Sequence, residues 1–235
     1  MGISVENLKR ETESFCTLEQ KSLNNLKIYS EELAVWNEKM NLTAITEQDE
    51  IFEKHFLDCL LMFKFVDVPD NATLIDVGTG AGFPGYVLKL AKPSLEVTLL
   101  DSLNKRLVFL GELFKKTEVF CNTVHSRAED GAKTEMRENF DFAVSRAVAK
   151  LPALCEYCLP FVKLGGKFVA LKGPGAKEEL ELSKNAITTL GGEVDGVFEY
   201  SLPCGDKRTI IVIKKISQTP TKYPRSGVKI TKKPL

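Results

Sequence analysis

An α/β fold with a mostly parallel sheet and helices on both faces is predicted by three features of the sequence. From Ala72 onward, short apolar runs alternate with helical patterns, the signature of strand-helix-strand units joined by right-handed crossovers. Residues able to do chemistry collect just after those runs, where open parallel sheets bind their ligands. Near the end the rhythm breaks: two apolar runs follow one another with only Pro-Cys-Gly-Asp-Lys between them, which marks an antiparallel hairpin at the sheet edge.

The elements follow in order. Thr17-Leu-Glu-Gln20 resembles a capping box, and Leu23, Leu26, Leu33, Trp36 and Met40 continue it at mostly helical spacing. A second helix start is Thr46-Glu-Gln-Asp49, followed by Ile51, His55, Phe56, Cys59, Leu60 and Phe63 on one side. The connector Asn41-Leu-Thr-Ala-Ile45 puts Asn41 at a helix end. Strands are expected at Thr73 to Val77, Glu96 to Leu100, Val119 to His125, Phe140 to Ser145 and Lys167 to Leu171. Helices separate them at Tyr86 to Ala91, Leu103 to Lys116, Ala147 to Val162 and Ala176 to Leu190. The closing hairpin pairs Gly192 to Ser201 with Arg208 to Lys215. The chain therefore divides into a helical extension (1–69), a catalytic domain (70–216) and a basic tail (217–235).

Composition narrows the possibilities. With 43% hydrophobic and 27% charged residues, the 235-residue chain is neither a disordered tail, a collagen nor a coiled coil. No apolar run reaches the roughly 18 residues of a membrane span, and the first residues lack the apolar stretch of a signal peptide, so a cytosolic location is expected. No heptad or repeat demands a partner, and a monomer is expected. The six cysteines are scattered through a chain large for a disulfide scaffold. Cys155 and Cys158 have the spacing of half a zinc site, but no second pair exists and the only histidines are His55 and His125, so no metal is expected.

Net charge is zero, with 32 basic and 32 acidic residues, yet it is unevenly spread. From Pro203 onward nine Lys or Arg face only Asp206, so that segment carries +8 and the preceding residues −8. Such asymmetry suits a basic arm facing an anion, or simply a solvated tail.

The glycine loop Asp76-Val-Gly-Thr-Gly-Ala-Gly-Phe-Pro-Gly85 follows the first strand, with Gly80, Gly82 and Gly85 in the GxGxxG spacing and Asp101 about twenty residues on. Alone it is compatible with a nicotinamide dinucleotide and an oxidoreductase. A pyrophosphate, however, needs a loop free of anions beside the helix start. Here Asp76 ends the strand, and Asp101 and Glu129 sit on the neighbouring loops. Three carboxylates around one crevice favour a cation, and S-adenosylmethionine, with its sulfonium and ammonium, answers that demand. Each acid also has a purely structural reading; Asp76, for one, could merely cap a turn.

The motifs Leu74-Ile-Asp-Val-Gly-Thr-Gly-Ala-Gly-Phe-Pro-Gly85, Leu100-Asp-Ser-Leu-Asn-Lys-Arg106, Ser126-Arg-Ala-Glu129, Ser145-Arg-Ala147, Ala170-Leu-Lys-Gly173 and Tyr223-Pro-Arg225 together resemble the bacterial small-subunit ribosomal RNA guanine-N7 methyltransferase G family, also called glucose-inhibited division protein B. Asn41-Leu-Thr43 and His55 with Asp58 are similar to its N-terminal extension, and the likeness runs from about residue 20 to the C-terminus. The resemblance implies a Rossmann-like class I methyltransferase fold, S-adenosylmethionine as donor, and methylation of N7 of one guanine in 16S ribosomal RNA, on the RNA itself or on the small ribosomal subunit. The family's cofactor positions fall on Gly78, Phe83, Ala128, Glu129 and Arg146, to which the strand-end reading adds Asp76, Gly80, Asp101, Ser102 and Leu103. Its RNA-facing positions fall on Asn41, His55, Arg127, Lys172 and Arg208. Many relatives have a proline near Gly227, where this chain has Val228 and Lys229.

Guanine N7 carries a lone pair and no proton, so its methylation needs no general base. No catalytic side chain is expected, only positioning, which can supply roughly 7 to 11 kcal/mol of a barrier. No Asn/Asp-Pro-Pro-Tyr stretch of the kind used on amino groups is present; the fourth strand ends in Ser145-Arg-Ala147. Cys155 lies in a mainly apolar helical pattern, where a packed thiol is the natural reading rather than a nucleophile. His55 reads as a core histidine or as a residue closing the crevice, and Phe83 and Trp36 as stacking or packing residues. A non-catalytic RNA-binding assembly factor is the remaining alternative of another class.

Overall fold

A computed structural model describes residues 2–235. Its seven strands are β1 (Thr73–Val77), β2 (Glu96–Asp101), β3 (Asn122–His125), β4 (Phe140–Arg146), β5 (Val162–Lys172), β6 (Gly192–Ser201) and β7 (Lys207–Lys215). They lie in the order β3-β2-β1-β4-β5-β7-β6, parallel from β3 to β5 and antiparallel at the β5–β7 and β6–β7 pairs. The chain steps outward from β1 to β3 and then returns to place β4 on the other side of β1. That reversal makes β1/β4 the topological switch point, beside which a crevice opens at the strands' carboxyl ends.

Strand residues alternate between two apolar layers, as the period of two demands. Leu74, Val169, Leu171, Ile210 and Val212 face one cluster; Ile75, Val77, Phe168, Ala170, Ile211 and Ile213 face the other. The first layer is covered by α6 (Gly85–Ala91), α7 (Asn104–Thr117) and the N-terminal helices. Leu26, Tyr29 and Leu33 of α2 (Gln20–Met40) and Phe56 are fully buried in the same cluster as Leu99 and Phe109, so the extension shares its core with the sheet. Each such Leu contributes roughly 1.5–3 kcal/mol by leaving water. The second layer is covered by α9 (Leu151–Cys158) and α10 (Ala176–Thr189).

Several details depart from the pattern in the sequence. A further helix, α1 (Val5–Thr12), precedes α2. Neither Thr17 nor Thr46 caps a helix: the N-cap positions are Glu19 and Glu47, and neither side chain bonds a backbone N–H. The second helical segment is broken into α3 (Gln48–Ile51), a π-helical turn (Phe52–Leu57), α4 (Asp58–Leu60) and α5 (Met62–Phe65). A π turn carries one extra residue, and such turns gather at functional sites; this one holds His55. The helix expected from Ala147 starts instead at Leu151: Pro152, lacking an N–H, is accommodated in a helix's first turn but not further in, and Ala147 sits at φ 58°. β5 begins at Val162, five residues earlier than expected, and β3 only at Asn122.

The C-terminal segment is not a free arm. Arg137 donates to the carbonyls of Thr219 (2.7 Å) and Tyr223 (2.9 Å), and buried Lys215 donates to the Leu159 carbonyl (2.8 Å) beside Glu138 (3.1 Å). Arg225 grips the fully buried Glu156, its Nη2 2.6 Å from Oε2. Beyond it the chain forms the short helix α11 (Gly227–Lys232).

Candidate active site

The cavity at the switch point has a volume of about 670 Å³. Its floor is the glycine loop. Gly78 and Thr79 donate their N–H groups to the Leu100 carbonyl (2.8 and 3.0 Å), which ties the loop to the end of β2. Gly82 has φ +105°, and a Cβ there would lie 2.6 Å from the Tyr29 hydroxyl, so no other residue fits. That hydroxyl donates to the Ala81 carbonyl, and the Tyr29 ring stacks on Phe83 at 5.4 Å. An N-terminal helix thereby fixes the shape of a loop more than fifty residues away.

Of the expected cofactor positions, the structure brings Gly78, Gly80, Phe83, Asp101, Ser102, Ala128, Glu129 and Arg146 to the cavity wall. Asp101 accepts from Gly80 N (2.8 Å), Leu103 N (2.9 Å) and Arg106 Nη1 (3.2 Å). Glu129, on α8 (Ala128–Gly131), is 7% exposed and makes no side-chain hydrogen bond among the described residues. Its carboxyl borders the cavity.

Two expectations are corrected. Asp76 does not reach the cavity: fully buried, it turns back to accept from Thr79 Oγ1 (2.7 Å) and Gly85 N (2.8 Å) through Oδ2. It ties the glycine loop to the start of α6, and a Cβ on Gly85 would strike it at 2.7 Å. Its Oδ1 has no hydrogen-bond partner among the described residues, and burial pushes its pKa up to about 7. Leu103 likewise stands outside, 44% exposed, contributing only its N–H to Asp101.

Among the expected RNA-facing residues, His55 and Arg127 line the cavity, whereas Asn41, Lys172 and Arg208 do not. Asn41 closes α2 with left-handed backbone (φ 49°), exposed, next to Leu42 and Thr43, which do line it. Lys172 is committed to Glu179 (2.8 Å) and the Ala149 carbonyl (3.0 Å), pinning the loop that carries Ala147, Val148 and Ala149 along the wall. Arg208 is held between Asp206 (3.0 Å) and Asp58 (3.6 Å). Both act on the frame of the cavity, because their charges are already partnered.

Against Phe83 of the glycine loop lies a cluster that the sequence hid. Arg146, at the end of β4, donates Nη1 to Asp58 Oδ2 and to the Lys54 carbonyl (both 3.2 Å) and Nη2 to His55 Nδ1 (3.1 Å). Its guanidinium lies 4.7 Å above the Phe83 ring. His55 Nδ1 also lies 3.2 Å from the Lys54 carbonyl, and Nε2 lies 2.8 Å from Thr43 Oγ1. Burial, reinforced by the Arg146 charge, lowers the His55 pKa to about 3, so the imidazole is neutral. Asp58 also accepts from the Tyr200 hydroxyl (2.9 Å). Trp36 packs on Phe109 at 5.8 Å, away from the wall. Cys155 is fully buried, and burial pushes its thiol up, away from any nucleophilic role.

A doubly wound sheet with a glycine loop after β1 and acids on the loops after β2 and β3 defines a Rossmann-like class I methyltransferase fold. Solved structures agree: TrmN from Thermus thermophilus superposes with a TM-score of 0.55 at 14% identity, covering 68% of this chain and 49% of its own. A TehB-like SAM-dependent methyltransferase from Corynebacterium glutamicum gives 0.51 at 16% identity, covering 80% and 98%. A family model for rRNA small subunit methyltransferase G matches residues 22–210. The chain is 52% identical over 211 residues to ribosomal RNA small subunit methyltransferase G of Clostridium perfringens strain SM101, covering 88% of each, and 51% identical over 221 residues to that of Alkaliphilus metalliredigens, covering 93% and 92%. This chain belongs to the rRNA small subunit methyltransferase G family.

Proposed function

We propose that this enzyme transfers a methyl group from S-adenosylmethionine to N7 of a guanine in 16S ribosomal RNA. The observation that carries the reading is a cavity whose unpartnered acid, Glu129, and second carboxylate, Asp101, lie along one wall while Arg146 stands at another. That donor set suits a ligand with cationic centres, ribose hydroxyls and one carboxylate. Asp101 and Ser102 would hold the ribose, Ala128 and Glu129 the adenine, and the glycine loop with Arg146 the amino-acid end. When bound, the cofactor supplies an electrophilic methyl carbon. A nicotinamide dinucleotide fits poorly, because its pyrophosphate would meet these acids.

The side chains do the rest by placement. Guanine N7 has no proton to lose, so no base is required, and His55, neutral, offers none of the charge that would oppose methylation. Positive charge develops on the base during transfer. Asp58 balances the Arg146 guanidinium at 3.2 Å, leaving the wall next to the base close to electrically neutral. His55, Asn41 and Arg127 are the RNA-facing groups of this reading, with Arg127 directed to phosphate. A purine in structured RNA must be looped out to reach such a pocket.

Incubation with methyl-tritiated donor and either protein-free 16S RNA or small subunits, followed by mapping, tests this. Label at guanine N7 is expected. Label on an exocyclic amine or a pyrimidine would overturn the mechanism, and RNA binding without any transfer would leave an assembly factor.

A further inference from the structure

We propose that the C-terminal segment from Arg225 to Lys233 is an RNA-docking element, built onto the cofactor cavity and directed at phosphates flanking the target base. The inference rests on the methyltransferase reading above and assigns a role to residues that reading does not use.

Three observations converge. First, the segment is placed, not floating: Arg225 donates its backbone N–H (2.7 Å) and its guanidinium to Glu156, which is fully buried on α9. Secondly, it abuts the cavity. A Cβ on Gly227 would lie 2.2 Å from Glu129 Oε1, and Thr231 lines the cofactor cavity itself. A second cavity of about 560 Å³ opens alongside, sharing Arg127, Glu129 and Thr231 with the first and bounded by Lys232. Thirdly, its charge is unspent. Lys229, Lys232 and Lys233 are exposed and, like Arg127 across the second cavity, have no ion-pair partner among the described residues. Lys229 and Lys232 are three positions apart on α11 and so share one helical face, and Lys233 follows at its C-cap. By contrast Lys215, Arg208 and Arg225, earlier in the same basic stretch, are neutralised internally.

Cations that a fold leaves unpaired beside a crevice attract a polyanion, and each phosphate contact releases counterions. The helix that carries Lys229 and Lys232 borders both cavities through Thr231. RNA phosphate is favoured over an acidic protein surface because Arg127 faces the same cavity from the cofactor wall.

The test is the triple variant Lys229→Gln/Lys232→Gln/Lys233→Gln, with binding to protein-free 16S RNA and to small subunits measured across salt concentrations. The slope of log K against log salt should become shallower by about 2, at roughly 0.7 per lost single-strand phosphate contact. Affinity for adenosylhomocysteine and melting temperature should match the parent. Arg225→Gln keeps the three lysines but frees the segment, and severalfold weaker RNA binding is expected. An unchanged slope on both RNA substrates would sink the proposal, and a loss confined to intact subunits would mean a protein partner instead. Failure of the parent enzyme to methylate RNA would strike the functional reading, which the slope experiment leaves separate.

Discussion

Replacing Arg225 by Met is the most direct probe of how the C-terminal segment is held. Glu156 is fully buried and accepts four bonds, all from Arg225: the backbone N–H, Nε to each oxygen (2.9 and 3.1 Å) and Nη2. Methionine keeps the backbone bond and most of the side-chain volume but removes the guanidinium. A buried carboxylate stripped of its partner costs about 3–5 kcal/mol. Arg225 is 22% exposed, so water reaches its place and the lower end, about 3 kcal/mol, applies. For a chain this long, each kcal/mol moves the midpoint by about 2–4 °C, giving a fall of roughly 6–12 °C. Circular dichroism melts would read it, and amide exchange should quicken most over residues 226–232, with β1 to β5 quickened only by the loss of global stability. The double variant Glu156→Met/Arg225→Met should regain most of the loss, since an apolar pair leaves no orphan charge. A single variant melting within 2 °C of the parent, with unaltered exchange, would refute the view that this pair fastens the segment.

Three further outcomes are expected. Asp76, with its pKa raised from 3.8 to about 7, keeps its proton in the fold where the unfolded chain has lost it. Stability should therefore fall by about 4 kcal/mol as pH climbs from about 4 to about 7 on this group's account, and level off above; about 3 kcal/mol of that lies between pH 5 and pH 8, a difference that urea unfolding of Asp76→Asn should lack, and an equal difference in both proteins would count against it. The His55 imidazole should stay neutral at pH 5, which nitrogen chemical shifts report; an imidazolium signal there would contradict the pairing with Arg146. Gly227→Ala should push the Glu129 carboxylate aside and weaken adenosylhomocysteine binding about tenfold by calorimetry, a loss of about 1.4 kcal/mol, with unchanged affinity as the contrary result.

Much of the sheet was legible because strand burial has a period of two and the chemistry gathers at strand ends. Asp101, Glu129 and the glycine loop could be found that way. Asp76 was misread for a physical reason: an acid ending a strand has the same sequence whether it aims at a ligand or turns back to hold Gly85. The capping boxes at Thr17 and Thr46 fit the pattern but not the chain path, which starts each helix two or three residues later. The π turn over Phe52–Leu57 leaves no mark in apolar spacing, since one extra residue in one turn is absorbed by the broad buried face. Pairings such as Arg146 with Asp58, or Arg225 with Glu156, join residues 88 and 69 positions apart, and no local rule reaches that far. For the same reason Lys172 and Arg208 looked free in the sequence and proved to be partnered.

Asp58 shows why the N-terminal helices belong to the site. This one carboxylate, 3% exposed, receives Arg146 from β4, Tyr200 from β6 and Arg208 from β7. Without it, Arg146 would stand beside the cavity as an uncompensated buried cation. The hairpin is fastened to the same helical segment at a second point, where Cys204 N–H donates to buried Glu53. The π turn lies between Glu53 and Asp58, so a single irregular turn presents His55 to the cavity, Glu53 to the hairpin and Asp58 to the arginines. A regular helix would rotate these three groups by a different amount per residue. The irregular segment thus couples the electrostatics of the cavity wall to the docking of the β6–β7 hairpin.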